Sequence, residues 1–345
     1  QSLLRVPKTT SLTEDQLVVA EAAFRMLEGK PLLDAVNYYL KSYKEPVTEK
    51  GLKEAYELFL NDKKASNCRP HTLANLKTRV GGFVKTYSKN KVSEVSTELL
   101  REYINRPGLS PATKDNHRRA LSSFFSWAEK QRYCKSSPVR GIEPVKKDES
   151  DPEILTPDEI ERLLSAAKDY HGGALIPYVT IALFAAVRPN ELAQLTWDKI
   201  NLKDKELTIS GGIAKMRRRR TVELETNLVC WLKPHAQKKG PVVPNNWRRH
   251  FDTIKGIAGF QFTKERVNVR EIEMALPDLD WDNLPKGKMW VQDILRHTAI
   301  SYHFAMHQHE GKTASWAGNS PDMIHRHYKG LVSSKDAAWF WKLKP

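Results

Sequence analysis

Apolar and polar positions along this chain alternate with a predominantly helical period. Between about residues 51 and 135, apolar side chains recur three and four apart, as in Tyr56/Phe59, Leu76/Val80/Phe83/Val84 and Leu100/Tyr103/Ile104. This spacing predicts helices with one buried face each. The clearest opens at Ser110-Pro111, with Ser as the cap and Pro at the first helical position. Leu121, Phe124, Phe125 and Ala128 form its apolar stripe and leave Lys114, Arg118 and Arg119 for other faces. No strand is predicted there. Upstream, Thr13 with Gln16 makes a capping box for a helix that stops near Gly29, and a second amphipathic stretch runs over residues 32–43.

Residues 138–155 interrupt the pattern with Pro138, Gly141, Pro144, Pro152 and the charged run 146–151, a linker by composition. Thr156-Pro157-Asp158-Glu159 then caps a helix carrying Ile160, Leu163, Leu164 and Ala167. The nearly apolar run from Ala174 to Val187 spans 14 residues and contains Pro177 and Thr180. It is short of the roughly 20 residues that cross a bilayer, so it predicts a buried helix. Pro189 can start another. The period then shifts to two: Leu207-Thr208-Ile209 alternates, Gly211-Gly212 turns and Thr221-Val222-Glu223-Leu224 returns. A small antiparallel hairpin is predicted, with Lys215-Met216-Arg217-Arg218-Arg219-Arg220 near its tip. Apart from the poorly patterned 240–290, the remainder reads as helices. The expected organisation is an N-terminal helical extension (1–46), a helical domain (47–137), a linker (138–155) and a larger, mainly helical domain with a small sheet (156–345).

Composition narrows the class. With 345 residues, 40% hydrophobic and 28% charged, the chain is neither disordered nor a membrane protein as a whole. Its formal charge is +15, distributed as 0 over residues 1–50, +9 over 51–150 and +6 over 151–345. Such an excess fits a polyanionic partner, although charge alone also allows a solvated basic face. Cys68, Cys134 and Cys230 are widely spaced, and no secretory segment opens the chain. A reduced, intracellular setting is expected, with the start at Gln1 leaving room for residues trimmed ahead of it.

Four pieces of the second domain carry candidate chemistry: Arg188 before Pro189-Asn190-Glu191-Leu192, Lys215 on the hairpin, Arg296 in Asp293-Ile294-Leu295-Arg296-His297-Thr298, and Tyr328 in His325-Arg326-His327-Tyr328. In order and spacing these resemble the tyrosine recombinase (phage integrase) family. That family presents an arginine in an Arg-Pro-x-Glu-Leu segment, a hairpin lysine, a His-x-x-Arg motif, a Gly-His motif and a C-terminal tyrosine. Residues 187–200 resemble the first of these, and Leu295-Arg296-His297-Thr298 with Tyr328, on a helix opened by Ser320-Pro321, resembles the last part. The helical 51–135 segment is similar to the family's core-binding domain, so the likeness covers about residues 50–345.

The resemblance implies a mainly α fold, with a helical (SAM-like) core-binding domain and a mostly helical catalytic domain, closing as a clamp on double-stranded DNA. It also implies strand cleavage and rejoining through a 3′-phosphotyrosyl bond, without metal, ATP or another cofactor. Tyr328 would be the nucleophile. Arg188 and Arg296 would answer the charge on the non-bridging phosphate oxygens, for which guanidinium forks suit better than ammonium groups. Lys215, the only lysine in its run, would protonate the departing 5′ oxygen. Arg217, Arg218, Arg219 and Arg220 would hold phosphates, with Lys114, Arg118 and Arg119 as DNA contacts in the first domain. Expected partners are DNA, further copies of the chain (a dimer on one site, a tetramer in synapsis, joined through the C-terminal segment) and directionality factors, in the nucleoid of a prokaryote or mobile element and with no membrane.

Two positions depart from the family pattern: Asp293 and Asn319 stand where it usually has histidines. Asp293 could accept the Tyr328 proton or orient Arg296, and Asn319 could donate to a phosphate oxygen without carrying charge. Reduced or context-dependent catalysis follows, which keeps open a non-catalytic DNA-binding protein and a type IB topoisomerase. His297 reads as a residue that packs or that supports the site residues from behind. His303 and His307 have i,i+4 spacing but no zinc-ligand partner at a recognised interval, so no metal site is assigned. The aromatic end, Ala337 to Trp341, could fold onto its own core or dock on a neighbouring copy.

Overall fold

A computed structural model describes residues 11–42, 47–145, 151–213, 219–284 and 287–345. The chain divides into two compact units, residues 1–148 and 149–345.

In the first unit, α1 (Glu14–Leu27) starts from Thr13, whose hydroxyl caps the Gln16 N–H while the Gln16 side chain accepts from the Thr13 N–H. With α2 (Leu32–Ser42) it displays apolar side chains rather than burying them: Val18, Phe24, Met26, Leu33 and Tyr38 are exposed. The core of the unit comes from α3 (Leu52–Ala65), α4 (Pro70–Thr86), α5 (Thr97–Asn105) and α6 (Pro111–Lys130). Phe59, Val80, Phe83, Leu100, Leu121, Phe124 and Phe125 are fully enclosed there. Ser110 caps α6 through the Thr113 N–H. Part of the expected linker belongs to this core. Pro138–Gly141 forms a 3-10 turn that buries Val139, and the Pro138 carbonyl accepts from the Thr97 hydroxyl at 2.8 Å.

The second unit is built around α8 (Ile176–Phe184), every residue of which is buried. It is preceded by α7 (Pro157–Asp169), opened by the Thr156/Glu159 capping box, and followed by the single turn α9 (Pro189–Leu192). Strands β1 (Ile200–Asn201), β2 (Glu206–Ile209) and β3 (Arg220–Glu223) form an antiparallel sheet in that order. Leu207 pairs with Val222, so the alternation read from the sequence places both in the core. The expected hairpin therefore gains a third, short strand. The poorly patterned region holds α11 (Trp247–Ile257) and α12 (Val269–Ala275), after α10 (Thr226–Leu232). The unit closes with α13 (Ile294–His307), α14 (Glu310–Ala317), α15 (Pro321–Tyr328) and α16 (Ser334–Phe340). The other end of the expected linker is also anchored: Leu155 is fully buried, and its N–H donates to the Thr298 hydroxyl at 2.9 Å.

The C-terminal aromatic cluster folds onto its own core. Phe340 is enclosed against Phe184 and Tyr302, and the Trp341 indole N–H reaches the Tyr302 carbonyl. No described helix is long and apolar enough to cross a membrane.

Candidate active site: an arginine cluster beside a buried tyrosine

Each functional side chain sits at an element boundary. Arg188 is the N-cap of α9, in extended backbone fixed by the Pro189 that follows. Arg220 begins β3, Arg296 lies in the first turn of α13, Asn319 follows α14, and Tyr328 is the last residue of α15. Gly318 makes the turn between α14 and α15 possible. Its φ of +66° is left-handed, and a Cβ there would lie 3.2 Å from Cδ and Nε of Arg220.

The arginines converge on one amide and one carboxylate. The Asn319 Oδ1 accepts from Nη2 of Arg188 at 3.1 Å and from Nη2 of Arg296 at 2.9 Å. Because guanidinium groups only donate, the amide oxygen is the atom that faces them. Arg188 also donates to the Gly318 carbonyl, and Arg296 donates to the carbonyls of Ala186 and Ala317. Glu191, 1% exposed, is held by both terminal nitrogens of Arg220 at 3.2 and 2.6 Å, with Arg188 at 3.5 Å. Two guanidiniums thus share one carboxylate. The buried Nε of Arg220 has no hydrogen-bond partner among the described residues. Burial, then the neighbouring Arg188 and Arg220, lower the Arg296 pKa to about 9, which leaves it charged at neutral pH. The result is a half-enclosed pocket of surplus positive charge, suited to an oxyanion with several acceptor oxygens.

Tyr328 is 4% exposed, and its hydroxyl lies 2.8 Å from Nδ1 of His297. Burial raises the Tyr328 pKa, opposed by the positive charges of Arg296 and Arg188 and reinforced by Asp293. The His297 pKa is lowered, first by burial and then by Arg296 and His327, against an opposing pull from Asp293. The ring is therefore neutral near pH 7.

The structure thus brings together Arg188, Arg296, Asn319 and Tyr328 of the sequence-predicted set. Asp293 caps α13 in a left-handed conformation (φ +62°) and makes no side-chain bond to the helix. Its charge reaches both His297 and Tyr328. The Asn319 amide oxygen receives the two arginines, a contact beyond the phosphate donation expected from the sequence. Arg220 belongs to the cluster rather than to a solvent-facing run, while Arg219 is exposed. Lys215, Arg217 and Arg218 lie outside the described residues. In the first unit Arg118 and Arg119 both pair with Asp115, at 3.1 and 2.9 Å, and Lys114 is half-buried. His303 is buried, stacked on Trp316 and hydrogen-bonded through Nδ1 to the Thr313 hydroxyl at 2.9 Å.

The sequence gives no hint of Glu191 as the counter-ion inside the Arg-Pro-Asn-Glu-Leu segment, and it gives His297 only a packing or supporting role, whereas its ring meets the Tyr328 hydroxyl directly. A polar residue beside Arg296 was the available signal.

Residues 153–252 match the phage integrase family. Among curated proteins, the chain is 27% identical over 194 residues to the putative defective protein IntQ of Escherichia coli, covering 52% of this chain and 48% of that protein. It is 24% identical over 200 residues to the tyrosine recombinase XerC of Xanthomonas campestris, covering 56% and 59%. The chain spans about half the length of these relatives. Among solved structures, the fold is similar to a Tn1549 transposon integrase in complex with circular intermediate DNA (TM-score 0.57, 15% identity, 83% of this chain and 98% of that one). It is also similar to a lambda integrase bound to DNA (TM-score 0.58, 14% identity, 83% and 99%). The sequence likeness to phage integrases and tyrosine recombinases thus extends over about half of the chain.

Proposed function

We propose that this protein is a site-specific DNA recombinase that breaks and rejoins strands through Tyr328. The observation that carries this reading is the juxtaposition of a surplus-positive arginine cluster with a buried tyrosine whose hydroxyl meets a neutral histidine.

A scissile phosphate would sit between Arg188 and Arg296, whose forks bond its non-bridging oxygens as charge builds in the transition state. The Tyr328 oxygen attacks phosphorus, and its proton passes to Nδ1 of His297. The bond to the 5′ oxygen breaks, and that oxygen leaves as a hydroxyl after taking a proton, the role proposed for Lys215. The product is a 3′-phosphotyrosyl ester and a free 5′-OH. Attack by a 5′-OH on that ester reverses each transfer and returns the proton to Tyr328. Glu191 keeps Arg220 and Arg188 in place without cancelling the cluster's charge. Because burial depresses the His297 pKa, the acid limb of cleavage is expected at lower pH than an ordinary histidine would give.

Duplex DNA is the proposed partner, with Arg219 and the neighbouring Arg217 and Arg218 on phosphates and binding that weakens steeply with salt. Assembly of two and then four copies on DNA accompanies the proposal, as does a prokaryotic or mobile-element setting; in one chain the C-terminal segment is seated on its own core.

The test is covalent trapping on nicked suicide duplexes in EDTA. An SDS-resistant adduct that maps to the Tyr328 peptide and vanishes in Tyr328→Phe is expected. Tight, salt-sensitive binding without an adduct would replace this reading with a non-catalytic DNA-binding one.

A further inference from the structure

A second cluster of chemistry-bearing side chains lies in the unit of residues 149–345, and none of its members takes part in the arginine–tyrosine network. His171 comes from the turn after α7, His250 from α11 and Glu271 from α12. One donor atom of each lies within 4.8 Å of the others. His171 Nε2 is 2.6 Å from Glu271 Oε1, and the second carboxylate oxygen accepts from the Tyr170 hydroxyl at 2.5 Å. That hydroxyl also meets Nδ1 of His250 at 2.7 Å.

We propose that His171, His250 and Glu271 form a binding site for a divalent transition-metal ion of the zinc type. Two imidazoles and one carboxylate are a donor set this ion favours, with bonds of about 2.0–2.2 Å and a tetrahedral preference. Such bonds place ligand atoms about 3.3 Å apart, so the side chains need only small rotations from their present separations. Tyr170 supplies the outer support that metal-bound carboxylates and imidazoles require, since it already grips the non-ligating carboxylate oxygen and His250.

The backbone is shaped for the same end. His171, Gly172 and Gly173 are all left-handed, at φ of +46°, +61° and +80°. For histidine this conformation is disfavoured, and it turns the imidazole onto Glu271. Access exists as well. His171 is exposed, and it lines with Tyr170, Glu271, Asp169, Asn268 and Met274 an open cavity of about 700 Å³. The cavity leaves room for a fourth ligand beside His171 and Glu271. The ion would staple α12 and the turn after α7 to α11, in the region whose sequence carries the weakest helical pattern. It takes no part in the phosphotyrosyl chemistry, so trapping in EDTA remains a separate test.

The experiment uses the full chain, stripped with EDTA and desalted, then titrated with Zn²⁺ by calorimetry, with metal content counted after dialysis. One equivalent bound is expected, with a raised melting temperature. His171→Ala and Glu271→Gln should each weaken binding by about ten-fold or more and remove the thermal gain. Glu271→Gln keeps the size and hydrogen-bonding shape of the side chain, and circular dichroism verifies its fold. His307→Ala, in the other histidine-rich region, should bind as the parent does. No stoichiometric binding by the parent, binding unchanged in Glu271→Gln, or binding lost in His307→Ala would each overturn the proposal.

Discussion

Two arginine clusters in this molecule use the same chemistry to opposite ends. In the first unit, Asp115, 2% exposed, takes Arg118 and Arg119, and Arg119 remains largely in water. In the second, Glu191 is equally buried but stands among three guanidiniums, of which Arg296 is itself 5% exposed. Charge surplus at a wet surface is cheap and screened; charge surplus in a half-enclosed pocket persists only because carbonyls of Ala186, Ala317 and Gly318 and one amide oxygen absorb the extra donors. The first arrangement orients side chains. The second stores an unmet demand for an anion.

This contrast can be broken from either side. The largest effect is expected at Arg296→Lys, which keeps charge but loses the fork: single-turnover cleavage of a suicide duplex should fall by about 10²–10³, with DNA affinity much less affected. Next, Glu191→Ala leaves the Arg188 and Arg220 guanidiniums without their carboxylate and should destabilise the second unit by about 3–5 kcal/mol in urea unfolding. A smaller loss, about 1–2 kcal/mol, is expected for Asp115→Asn, because Arg119 can turn to solvent. Alanine at Lys114, Arg118 and Arg119 together should weaken duplex binding and flatten its salt slope; unchanged affinity and slope would remove these residues from the DNA interface. The effect that is smallest at neutral pH is gradual. Burial lowers the His303 pKa to about 3, so the folded state resists a proton that the unfolded chain accepts near 6.5. Stability from this residue is complete above pH 6.5 and declines toward pH 3 by up to about 1.4 kcal/mol per unit, and His303→Gln should flatten that decline.

Local physics made much of this legible beforehand. The Ser110, Thr156 and Ser320 caps each satisfy N–H groups in their own first turn, so α6, α7 and α15 announce themselves within a few residues. The Arg188 segment and Tyr328 were visible for a similar reason: proline and capping residues beside them fix where their helices begin. What stayed hidden depends on distant chain. Arg296 and His297 are adjacent, so on a helix they point about 100° apart, and one was expected to reach the site. Both do, because Asn319 and Tyr328 approach from different sides of α13. Arg220 read as one more member of a basic run until β3 placed it beside Glu191. Around α11 and α12, polar contacts among Tyr170, His250 and Glu271 add to the apolar packing of Phe251, Ile254 and Ile272.

The amide oxygen of Asn319, bonded by both Arg188 and Arg296, has one more consequence. It is a neutral stand-in for the oxygen of a phosphate, and it makes folding itself freeze the two forks in parallel readiness. The rotational entropy of these long side chains is lost when the protein folds rather than when a strand is cut. Exchange of one oxygen for another then requires little reorganisation of the surrounding dipoles, and the geometry of the reaction is written into the resting protein.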